Sequence, residues 1–235
     1  HVTNNGDGIL LDHSSNNVLE NNTASNNKDG GIALWESNNN TLDNNVLLNN
    51  FRGICLGTNS TGNILENNDF GGDGLWVYDS YGNTVENNTV NGNPLVYLED
   101  ASDQTIMDMN AGQVILVNCD NITVKNLDIS NTTVGIELLR TNNSEIENNT
   151  VNSNNEYGIW LYGSKSNLLK SNIASDNNEG IVVVEGTAGE SGNNKLENNI
   201  ASSNYYCGIQ LCGSSGNDLM DCTVSNIGRG FYLFC

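Results

Sequence analysis

The chain has 235 residues, with 8 Lys or Arg against 28 Asp or Glu, a formal charge of −20. That balance excludes a nucleic-acid partner, because phosphate binding needs a basic footprint. No run approaches the ~20 continuous apolar residues of a bilayer span, and 47 of the 235 residues are Asn, which competes with the helix backbone for hydrogen bonds and excludes a helical protein.

In chain order, a phrase of the form Gly-apolar-x-apolar opens at Gly8-Ile9. It returns at Gly31-Ile32, Gly53-Ile54, Gly74-Leu75, Gly135-Ile136, Gly158-Ile159, Gly180-Ile181, Gly208-Ile209 and Gly230-Phe231. Degenerate copies stand at Pro94-Leu95 and Gln113-Val114. A second phrase follows about eleven residues later, as in Val18-Leu19-Glu20-Asn21-Asn22, Thr41-Leu42-Asp43-Asn44-Asn45 and Lys195-Leu196-Glu197-Asn198-Asn199. Each repeat of about 22 residues thus carries two or three short alternating strands between Asn, Ser and Gly turns. No segment holds a 3.6-residue period, so a helical repeat fails. The pattern predicts an all-β parallel solenoid of about ten coils forming one domain over residues 1–235. An insertion falls near 185–193 and degenerate coils over 94–134. Coils stacked at ~4.8 Å give a rod of about 50 Å.

Stacking accounts for the Asn. A side chain at a fixed coil position lies over its copy in the next coil, and amides so placed donate and accept along the column. The second Asn of each pair predicts such a ladder: Asn22, Asn45, Asn68, Asn88, Asn149, Asn172 and Asn199. Asn also tolerates the left-handed backbone of tight corners. The Ile of the first phrase and the Leu of the second make the interior columns.

The repeated phrase N-x-[ILV]-x-N-N-x-x-x-x-N-x-x-G-I-x-L resembles the repeat of NosD-like proteins and of carbohydrate-binding and sugar-hydrolase β-helices. The segment Pro94 to Leu138 is similar to NosD-like surface proteins of methanogenic archaea. The resemblance implies a single-stranded right-handed parallel β-helix, and a cell-surface, sugar-acting or NosD-type accessory role.

The outward positions of the Gly-Ile strand are apolar on both columns. They include Trp35, Cys55, Trp76, Tyr78, Val96, Leu98, Ile115, Val117, Leu139, Trp160, Tyr162, Val182, Val184, Tyr232 and Phe234. Such a wall exceeds what a soluble monomer exposes. Three covers fit: a missing segment of a longer chain, another subunit, or sugar rings stacked on Trp35, Trp76, Tyr78, Trp160 and Tyr162. No polar cap is read at either end, which fits an excised fragment or rod ends that touch neighbours.

Six Cys without a CxxC spacing do not form a metal site. Cys212 and Cys235 lie one coil apart, within reach of a disulfide; Cys55 and Cys207 are candidates for intermolecular bonds, with free thiols as the alternative. Disulfides and eight N-x-Ser/Thr sequons are compatible with an extracellular setting. Glu20, Asp43, Glu66 and Glu86 form an outward acidic column, either solvated or bridged by Ca2+, the one cofactor candidate. Paired carboxylates across a cleft, which a glycosidase needs, are not discernible, and the chain is expected not to be an enzyme. The reading that results is an extracellular coat, sheath or S-layer subunit that packs on copies of itself. Its rivals are a carbohydrate-binding or sugar-hydrolysing module and a NosD-type accessory protein.

Overall fold

The computed structural model describes residues 1–187, 191–225 and 228–234. Those residues form short strands and no helix. The fold is a right-handed parallel β-solenoid of about ten turns. The first phrase stacks in register, Ile9 on Ile32, Ile32 on Ile54 and Ile54 on Leu75. It stacks again from Val114 through Ile136, Ile159 and Ile181 to Ile209. The second phrase does likewise, Leu19 on Leu42 and Leu42 on Leu65. Alternation puts these residues inside each coil, where Ile32, Leu42, Ile54, Ile136 and Ile159 are fully buried.

The Asn pairs divide their labour. The first Asn takes the left-handed corner, with φ of 57° at Asn21 and 54° at Asn44, Asn67, Asn87 and Asn148. The second turns inward and bonds along the stack. Asn45 Nδ2 donates to Asn68 Oδ1 at 2.9 Å, and Asn68 Nδ2 to Asn88 Oδ1 at 2.9 Å. Each amide also donates back to a core carbonyl, as Asn68 does to Leu42 O at 2.9 Å. In the later coils the column runs from Asn149 through Asn172 to Asn199. Further ladders run through Asn17, Asn40, Asn63 and Asn83, through Asn27, Asn50 and Asp73 and through Asn154, Asn177 and Asn204.

The coils do not continue as one rod, which corrects the expected ~50 Å rod. Strand Thr89–Val90 pairs antiparallel with strand Asn93–Glu99, Val90 opposite Asn93 and Thr89 opposite Pro94. Asn91 and Gly92 form the two-residue turn between them, with φ of 52° and 77°. Positive φ at both positions is the type I′ hairpin geometry, which Asn-Gly suits. The chain therefore reverses. A first stack (residues 1–90) carries four Gly-Ile strands, and a second stack (residues 93–234) carries seven.

The two stacks share one core. Cys55 and Trp76 of the first are buried in a cluster with Ile115, Val117, Leu139, Trp160, Tyr162 and Val182 of the second, with Trp35, Tyr78 and Val184 packed at its edge. The apolar wall is thus covered by the chain itself, and the predicted interface with another subunit is corrected over this stretch. Beyond the reach of the first stack, Phe234 stays 41% exposed and Tyr232 half-buried. Val96 and Leu98 are also corrected. They pair with Val114 and Leu116, so they face inward, and Tyr97 and Glu99 take the outward places beside Ile115 and Val117. In the degenerate coil the phrase is shifted by one residue, and a slip of one turns every side chain to the other face.

Candidate functional site

The seam between the stacks begins at strand Leu75–Val77, the last of the first stack's Gly-Ile strands. No strand continues this ladder, so its backbone groups need other partners. Side chains of the second stack supply them. Gln113 Oε1 accepts from Leu75 N at 3.0 Å while its Nε2 donates to Leu75 O at 2.6 Å. Glu137 Oε1 accepts from Val77 N at 3.2 Å, and Thr133 Oγ1 from Gly74 N at 3.0 Å. Glu137 is wholly buried and its Oε2 has no partner. Burial holds its carboxyl well above the usual carboxylate range.

Arg52 clamps the seam from the first stack. Its Nε and Nη2 each reach a Glu156 oxygen at 2.8 Å, a bidentate pair, and Nη1 reaches Asp29 at 3.0 Å. The guanidinium lies 4.0 Å from the Trp76 ring centroid. Asn155 adds donors to Asn50 O, Phe51 O and Gly72 O at 3.1–3.2 Å. Burial, followed by the neighbouring Glu156, pushes the Glu179 carboxyl up to about 7.

At one margin the seam opens into a cleft of about 550 Å³. Trp76, Tyr78, Tyr157, Trp160 and Tyr162 line it, and Val184, Glu185, Thr187, Cys212 and Gly213 complete the lining. Trp76 lies within 8° of parallel to Tyr78 and within 15° of Trp160, at centroid separations of 5.3 and 6.0 Å. Tyr162 tilts against Tyr78 at 5.1 Å. Burial pushes the Tyr162 phenol up to about 12, and its oxygen accepts from Thr187 N at 3.2 Å. Glu185 and Thr187 stand exposed on the rim. Arg140, outside the lining, donates to Asp79 at 3.0 Å and to the rim Thr187 Oγ1 at 3.4 Å and stacks on Tyr81 at 4.3 Å. Trp76, Trp160 and Tyr162 are 3–7% exposed and stack on their neighbours, so the cleft presents the half-buried Tyr78 and Tyr157, the Thr187 hydroxyl and one carboxylate.

Of the five aromatics singled out for sugar stacking, four meet in this cleft. Trp35 does not. It lies over Gly57, where an added Cβ would sit 2.1 Å from its ring, and edge-on to Trp76 at 6.4 Å. Tyr157, Glu185, Thr187 and Gly213 were not foreseen in this role. The break in repeat length near 185–193 was the one signal for Glu185 and Thr187, and none marked Tyr157 or Gly213.

The other predicted residues fall elsewhere. Glu20, Asp43, Glu66 and Glu86 stack in register on an outer face. Asn21 donates to Glu20 and Asn67 to Asp43, and no group of three or more metal-ligating side chains occurs among the described residues. In the later coils the same column alternates in sign, Lys125 and Lys170 both bonding Glu147. Cys55 and Cys207 are buried and form no disulfide within the chain. Burial raises both, Cys207 to about 11. Cys212 stacks on Phe234, and the Cys212–Cys235 pairing lies outside the described residues.

The model of the right-handed β-helix region matches residues 1–111 and 112–235, so the chain belongs to the right-handed β-helix family. A comparison with curated proteins found no match. Among solved structures, the chain is similar to the A-module of an Azotobacter vinelandii mannuronan C-5 epimerase, with 18% identity, a TM-score of 0.47 and coverage of 94% of this chain and 56% of that one. It is also similar to an alginate lyase from Paenibacillus, at 12% identity and a TM-score of 0.39, covering 91% of this chain and 80% of that one. A third is the catalytic domain of an α-1,3-glucanase, at 13% and 0.32, covering 99% and 60%. Likeness this distant brings no activity or residue role to the chain. These similar structures are nonetheless an epimerase, a lyase and a glucanase, and the expectation that the chain is not an enzyme is withdrawn on that finding. NosD-like specificity within the family is not shown.

Proposed function

We propose that this β-helix recognises a carbohydrate chain, with the aromatic cleft between its two stacks as the binding site. The observation that carries the reading is the half-buried Tyr78 ring, backed by the buried rings of Trp76 and Trp160, in a cleft edged by hydroxyls and a carboxylate. Aromatic faces match the C–H faces of pyranose rings, and the polar rim matches their hydroxyls. The rival coat reading rested on an uncovered apolar wall, and most of that wall is buried within the chain. A polysaccharide ligand would set the protein outside the cell.

Tyr78, half-buried in the lining, is the residue to remove. Binding of a panel of oligosaccharides is measured by calorimetry for the unaltered chain, Tyr78→Ala and the exposed control Tyr205→Ala. Loss of one stacking face at ~1 kcal/mol lowers affinity about fivefold or more. The proposal fails if no sugar binds, or if Tyr78→Ala, shown folded by circular dichroism, binds as well as the control.

A further inference from the structure

The charge of the cleft selects among sugars. Its lining holds one carboxylate, Glu185, and among the described residues no Lys or Arg. Glu185 lies against Gly213, which sits at φ +60° and where an added Cβ would meet its Oε2 at 2.7 Å. The nearby cation Arg140 is engaged by Asp79, by Thr187 Oγ1 at 3.4 Å and by the Tyr81 ring. Arg52, behind Trp76, is taken up by Glu156 and Asp29. The whole chain carries −20, which adds a repulsive field for anions. A sugar acid needs a paired cation where its carboxylate is desolvated, and this lining offers none.

Resting on the carbohydrate reading above, we infer that the ligand is an uncharged glycan and that the cleft rejects polyuronates. The mannuronan epimerase and alginate lyase that the chain resembles are named for anionic polymers, so the inference separates this chain from them in substrate class. The attraction is stacking and neutral hydrogen bonding, and the selectivity is electrostatic exclusion by Glu185 and the net charge.

The test compares an uncharged gluco-oligosaccharide with an oligomannuronate of equal length by calorimetry, at low and at ~0.3 M salt. The neutral ligand is expected to bind with an affinity that changes less than about twofold with salt. The oligomannuronate is expected to bind at least about tenfold more weakly at low salt, and to gain on adding salt or on Glu185→Gln. Equal or tighter binding of the oligomannuronate overturns the inference and leaves the carbohydrate reading standing. Binding of neither sugar, nor of any in the wider panel, overturns both.

Discussion

The Asn ladder makes a prediction that depends on position within a column. Asn68 sits mid-column, and its side chain makes four hydrogen bonds: Oδ1 accepts from Asn45 N and Asn45 Nδ2, and Nδ2 donates to Leu42 O and Asn88 Oδ1. Asn68→Ala removes all four. At about 1 kcal/mol each this is about 4 kcal/mol, and the Asn45 N–H left without an acceptor in a dry column adds about 1 more. Asn22 ends the same column, is half-buried, and makes two side-chain bonds, to Glu20 O at 3.3 Å and Asn45 Oδ1 at 3.1 Å. Asn22→Ala should cost about 1–2 kcal/mol. Urea denaturation followed by tryptophan fluorescence reads the two values. A difference below about 1 kcal/mol would refute the idea that the ladder acts through completed amide pairing, and would leave corner geometry as the reason for the Asn.

Arg52→Met strands the Glu156 side chain, 8% exposed, in the seam, and should destabilise by about 3–5 kcal/mol. Adding Glu156→Gln should restore part of that, as a double-mutant cycle would show. Burial pushes the Asp73 carboxyl from 3.8 up to about 7, and Glu179 from 4.5 up to about 7. Both folded values are raised, so their contribution is fully present below about pH 4 and is lost as pH rises through 7; stability measured across that window should fall. Asp73→Asn completes a ladder in which Oδ1 now has no partner, and should leave stability unchanged at acid pH while raising it by ~2 kcal/mol at pH 8. Gly57→Ala forces a methyl into the Trp35 ring and should cost about 1–3 kcal/mol, with a changed tryptophan emission.

Much of the fold was legible because a solenoid repeats its evidence. Ile32, Ile54 and Ile159 each recur one coil from a copy of themselves, and the alternation fixes which side they face. The Asn of the corners and of the columns could be told apart by order within the pair. The reversal was harder to read. Asn91-Gly92 is a hairpin signal, but one dipeptide among many Asn and Gly carries little weight against ten recurring phrases. Pro94 then shifted the register by one, and Val96 and Leu98 were assigned to the wrong face. The aromatic residues of the cleft were visible as a group. Their meeting was not, because it joins strands such as those of Trp76 and Trp160, which pair only through the fold-back. Glu137 and Gln113 gave no sequence signal, since a polar residue on an outward column reads as solvated until something covers it.

The Asn91-Gly92 turn has a consequence for how this molecule can change. In an unfolded-back solenoid each coil touches only the next, so a coil can be duplicated or lost with local effect. Here Arg52 meets Glu156 across 104 positions. The seam's partners on the first stack, Arg52, Gly74, Leu75 and Val77, lie in that stack's last two coils, so a coil inserted between them and the turn would move them off Glu156, Thr133, Gln113 and Glu137. The fold-back thus fixes how many coils stand between the turn and the seam on either side. It also makes folding wait on long-range encounters that a simple stack of repeats does not need.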